Sequence, residues 1–118
     1  MKTYTGKNSG TGPQKVTVSE LTRQQGADEG TTKKYELPLD PSYKLHPHSP
    51  DGFQWGYQGS GPAQLALAIL LDLTEDPELS ERLHQEFKQD LVATAGNNLV
   101  LIEPEIEKWL KDKRKQPA

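Results

Sequence analysis

The chain contains no cysteine. Disulfide frameworks, thiolate nucleophiles and sulfur-based zinc sites are therefore excluded. Long apolar runs are also missing. The longest, Leu65 to Leu71, falls far short of the roughly 20 residues that a bilayer-spanning helix needs. The first ten residues, MKTYTGKNSG, hold no apolar stretch, so a secretory signal is not expected. These absences lead to the expectation of a soluble, cytoplasmic protein without membrane contact. Positive charge is not in excess either. The net charge of −3 argues against a dedicated duplex-DNA binder. Only 32% of residues are apolar and 7% aromatic, so the core must be small and economically built.

With 118 residues the chain is expected to form one domain, 1–118. Most apolar residues follow Phe53, which places the core there. Lys2 to Thr5 and Lys15 to Ser19 are short β-like runs joined by a turn rich in Asn, Ser, Gly and Pro, and they predict a hairpin. Residues 24–34, QQGADEGTTKK, have no periodicity and predict a flexible loop. Tyr35, Leu37 and Leu39 alternate with polar positions, but Pro38 confines that strand to an edge. Pro41, Pro47 and Pro50 suggest an extended passage around His46 and His48.

Phe53, Trp55 and Tyr57 occupy alternate positions and predict a strand with the three rings on one face. Gly59-Ser60-Gly61-Pro62 then opens a helix that is apolar nearly all round, Ala63 to Leu73. Asp76-Pro77 starts a second helix with the stripe Leu79, Leu83, Phe87, Leu91. Gly96 fits its stop, and Leu99 to Ile102 suggests a buried strand. Pro104 opens a last helix with Ile106, Trp109 and Leu110 inward, and 111–118 is expected to be a frayed basic tail. The fold class expected is α+β: a small, mainly antiparallel sheet packed by about three helices.

The segment GFQWGYQGSGPAQLALAILLD resembles the signature of a family of small uncharacterised proteins from phages, plasmids and integrated elements. That pattern pairs Tyr4-Thr5-Gly6 with the run His48 to Pro62, Phe87-Lys88 and the terminal Ile106, Trp109 and Leu110. The resemblance brings no assigned chemistry. It implies a mobile-element setting, in which small non-enzymatic proteins that counteract host defence are common.

The glycine turn is the first candidate site. Gly59 and Gly61 permit close backbone approach, the helix start supplies N–H donors, and Ser60 adds a hydroxyl, so an anion could be held there. Equally, these glycines can serve only a sharp turn. No Gly-Lys-Ser/Thr follows, which rules out a P-loop. The aromatic trio can stack a base or simply form core. His46-Pro47-His48 with Asp51 has metal-ligand chemistry, but His84 is expected to be exposed on the second helix. No metal and no cofactor are therefore expected. Gly-Ser-Gly-Pro is not a nucleophile elbow, so Ser60 hydrolysis is disfavoured.

Residues 72–107 hold ten acids against Arg82 and Lys88. Glu78, Glu81 and Glu86 mark this acidic surface as a possible partner-binding face. The leading expectation is a non-enzymatic binding protein that occupies a host partner or a small anionic or nucleotide ligand. Its site residues would be His48, Asp51, Trp55, Tyr57, Gly59, Ser60 and Gly61. The alternatives are an acidic inhibitor of a nucleic-acid-binding enzyme, or a small enzyme using His48 and Asp51 beside the glycine turn.

Overall fold

The structure is a computed structural model that describes residues 1–8, 12–22, 31–50 and 52–115. Three strands come first: β1 (Lys2–Lys7), β2 (Thr17–Thr22) and β3 (Thr31–Glu36). A short helix α1 (Asp40–Leu45) precedes the long α2 (Ser60–Thr74) and α3 (Pro77–Phe87). A π-helical turn, Lys88–Val92, leads to β4 (Asn98–Ile102) and α4 (Glu103–Lys115). The strands form one antiparallel sheet in the order β3-β2-β1-β4. The fold is α+β, as the residue pattern implies.

Register explains the core face. Tyr4 pairs with Val18 on one side and Leu101 on the other, and Val18 pairs with Tyr35. The buried side chains of this row, with Val16 and Leu99, meet the helices. β3 lies at an edge, but it ends at Glu36, so the strand expected through Leu37 and Leu39 stops before Pro38. β4 is not buried on both faces, because it forms the opposite edge: Leu99 and Leu101 face inward, while Val100 and Ile102 are exposed.

α2 is the centre of the molecule. Gly61 to Leu70 are buried without interruption, which is why its sequence shows no polar stripe. α3 begins on Asp76, whose carboxylate accepts the Leu79 N–H at 3.1 Å, and Pro77 follows in the first turn. Its buried face is Leu79, Ser80, Leu83, His84 and Phe87. Ile106 and Leu110 seat α4, and Trp109 meets Phe87 edge-on at 5.1 Å.

Several expectations are corrected. Asp40–Leu45 is helical rather than extended, since Pro41 stands in the first turn, where its missing N–H costs nothing. Residues 31–34 belong to β3, paired with β2, and not to a loop; 23–30 lie outside the described residues. Residues 111–115 continue α4 instead of fraying, and Lys113 reaches Glu86 at 2.9 Å; 116–118 lie outside the described residues. The segment 53–57 is not a strand. It makes one bridge, Gln14 N–H to the Phe53 carbonyl at 3.0 Å. Gly56 then adopts φ +88°, which breaks the alternation. Phe53 and Trp55 are buried, but Tyr57 is 48% exposed, so the three rings do not share a face.

Sheet and helices are joined at Asp72 of α2. Its carboxylate accepts from Tyr4 (2.7 Å) and Tyr35 (2.8 Å) hydroxyls and pairs with the Lys2 ammonium at 3.2 Å. Burial, followed by the hydrogen bond to Asp72, holds the Tyr4 hydroxyl far above the usual phenol range. Among the described residues no helix is long and apolar enough to cross a membrane.

Candidate functional site

The glycine turn forms less of an anion cradle than its sequence suggests. Of the first helical positions, Pro62 has no N–H, and the Ala63 N–H bonds the Gly59 carbonyl at 3.0 Å. Gly61 is buried beneath Gln54: a Cβ built there would stand 2.9 Å from Gln54 Cβ. The Tyr57 ring lies against Gly59, where an added Cβ would come within 2.6 Å. Close packing of Gln54 and Tyr57 therefore accounts for both glycines. Ser60 remains exposed at the helix start.

A groove of about 380 Å³ opens beside this turn and does not reach Gly59, Ser60 or Gly61. It is lined by Asn8, Gln14, Gln54, Trp55, Gly56, Tyr57 and Asn97, and the Gln14 and Gln54 side-chain amides both donate to the Gly12 carbonyl, at 2.9 and 3.2 Å. Three contacts hold it open. The Gly56 N–H bonds the Val92 carbonyl (3.1 Å), the Trp55 indole N–H bonds the Asn97 carbonyl (3.1 Å), and the Tyr57 hydroxyl donates to Gln54 Oε1. The π-helical turn matters here, because it places the Val92 carbonyl over Gly56. Amides combined with an exposed aromatic face can recognise a planar, polar group by stacking and paired hydrogen bonds. Trp55 and Tyr57 are thus brought together, whereas His48 points elsewhere and Asp51 lies outside the described residues.

The His48 segment is clamped to α2 by one buried side chain. Gln64 Oε1 accepts the His48 N–H (2.7 Å) and the Ser49 N–H (3.1 Å). Gln64 Nε2 donates to Ser42 Oγ (3.0 Å) and to the His46 carbonyl (3.3 Å). So held, the loop turns both imidazoles toward α3. His46 and His48 stack with centroids 4.2 Å apart, and His48 Nε2 meets His84 Nε2 at 2.8 Å. All three histidines of the chain converge, with one ring nitrogen from each within 4.8 Å of the others.

The expectation that His84 is exposed was wrong, since it is only 3% exposed. It sits one residue beyond Leu83 and four beyond the buried Ser80, so the apolar stripe of α3 is wider than its leucines alone suggest. Burial, then the neighbouring His46 and His84, hold the His48 imidazole below its ordinary value. Burial likewise lowers His84, against an opposing bond to the Glu81 carbonyl. Both rings are therefore biased toward the neutral form.

The acidic residues do not make a uniform face. Glu78 is exposed, Glu81 lies 3.4 Å from His46 Nδ1, and Glu86 pairs with Lys113. The cavity of about 540 Å³ beside Lys2, Tyr35 and Asp72 is lined by charges of both signs, and the Asp72 carboxylate there is held by the molecule's own hydroxyls.

No curated protein and no solved structure matches the chain. A family model described as Family of unknown function (DUF6166) matches residues 19–112, which span the clamp, the glycine turn and all three histidines. The chain belongs to this family of unknown function.

Proposed function

We propose that the protein is a non-enzymatic binding protein that holds a small nucleotide-class ligand in the groove between Tyr57 and Asn97. One observation carries this: Tyr57, nearly half exposed, lines a hollow together with four amide-bearing residues, Asn8, Gln14, Gln54 and Asn97. A base stacked on Tyr57 would meet donors and acceptors suited to its polar edge. A phosphate would extend toward the exposed start of α2 at Ser60, where the helix dipole favours negative charge. The resemblance to proteins of phages and plasmids supports a mobile-element origin. In that setting the protein would counteract host defence by withdrawing a nucleotide signal.

The enzyme alternative lacks geometric support, because His48 faces His84 rather than the glycine turn. The inhibitor alternative is not favoured either, since Glu81 and Glu86 already have cationic or imidazole neighbours. Calorimetric titration with a panel of mono-, di- and cyclic nucleotides tests the proposal. Saturable binding is expected for at least one of them, weakened about tenfold or more in Tyr57→Ala by loss of stacking. Absence of heat and of any thermal shift at millimolar ligand across the panel would overturn it.

A further inference from the structure

We infer that His46, His48 and His84 form a binding site for one divalent transition-metal ion of the zinc type. The argument starts with donor chemistry. Three imidazole nitrogens with no thiolate nearby suit zinc, cobalt, nickel or copper. The three side chains come from two elements, the clamped loop after α1 and helix α3, so an ion would bridge them.

The hydrogen bonds around the rings determine which nitrogens are offered. His84 Nδ1 lies 2.6 Å from the Glu81 carbonyl, which can only accept. That bond fixes the proton on Nδ1 and leaves the Nε2 lone pair of His84 facing the cluster. Metal-ligating histidines commonly carry such an outer partner on the second nitrogen. His48 Nε2 meets His84 Nε2 directly, so without an ion it must donate the shared proton. When an ion binds, that proton moves to His48 Nδ1, and both Nε2 lone pairs become ligands with no net change in charge. His46 Nδ1 is shielded from water and makes no hydrogen bond. Its nearest charged neighbour, Glu81 Oε1 at 3.4 Å, is too poorly aligned to satisfy it. A buried nitrogen without a partner calls for explanation, and a metal ion supplies one.

Distances are compatible. Tetrahedral zinc with nitrogens at about 2.0–2.1 Å places its ligands roughly 3.3 Å apart. The observed 2.8 Å contact and the 4.8 Å outer limit bracket that value. The His46 and Glu81 side chains are 44% and 48% exposed, giving the ion a route in and leaving a fourth position for Glu81 or water. The buried Gln64 holds the loop before any ion arrives, which lowers the ordering cost of binding.

The test uses the full chain prepared without a polyhistidine tag and stripped with chelator. Equilibrium dialysis against zinc should show one ion per chain at micromolar concentration. Cobalt should give the intense visible bands of a tetrahedral complex. The melting temperature should rise steadily with the logarithm of zinc concentration. His46→Asn, with a half-exposed ring, should fold and lose about 100-fold or more in affinity, and Glu81→Gln about tenfold. His84→Gln removes a buried ring, so the unmodified chain provides a second measurement. On adding zinc, its imidazole ¹⁵N resonances should shift at one nitrogen of each of the three rings. No stoichiometric uptake, or uptake that leaves the three imidazoles unshifted and is unchanged in His46→Asn, would overturn the inference.

Discussion

Gln64 shows how one residue can position two others. In the sequence it is a polar interruption of an apolar helix. In the fold it is fully buried, with bonds to His48, Ser49, Ser42 and the His46 carbonyl. Gln64→Leu would keep the volume but leave two loop N–H groups buried and unpaired. A loss of about 2–4 kcal/mol is expected at that rate of desolvation, read from urea denaturation. The imidazole resonances of His46 and His48 should broaden in the same variant. His46 and His48 were recognisable as ligand-type residues from their spacing. Their meeting with His84 was not, because it depends on a loop packing across α2, which no local pattern encodes. Tyr57 was also misjudged: alternation put it with Phe53 and Trp55, but the positive φ of Gly56 turns it outward.

At the scale of elements, α3 could be anticipated because periodicity and capping agree, and α2 because its apolar run is unbroken. Asp76-Pro77 opens α3, and its leucines and Phe87 face inward as their spacing requires. Asp76→Ala should cost about 1 kcal/mol through loss of the cap. Faster hydrogen exchange at Leu79, whose N–H the carboxylate holds, would check it, with exchange at Phe87 changed less. α1 and the segment 53–57 were hidden for opposite reasons. Prolines suggested an extended chain where Pro41 in fact starts a turn of helix. Aromatic alternation suggested a strand where the chain only bridges once to Gln14 and then bends. Tertiary contacts, not propensity, decide such short pieces.

For the molecule as a whole, the joint at Asp72 matters most. Two strands and the central helix meet on one carboxylate, through Tyr4, Tyr35 and Lys2. Tyr4 is fully buried, so Asp72→Ala would leave its hydroxyl without an acceptor. A loss of about 2–4 kcal/mol is expected, seen as a lower urea midpoint with an unchanged slope. Tyr4→Phe should recover part of that loss when combined with Asp72→Ala, since the stranded hydroxyl is then gone.

The sheet order carries a last consequence. β1 precedes β4 by most of this domain, yet the two are neighbours in the sheet, and the Lys2 N–H bonds the Glu103 side chain 101 positions away. One side of β1 must therefore stay unzipped until β4 has been synthesised. The α2–α3 hairpin, local in sequence, can assemble before that, but closure of the sheet waits for β4 to emerge.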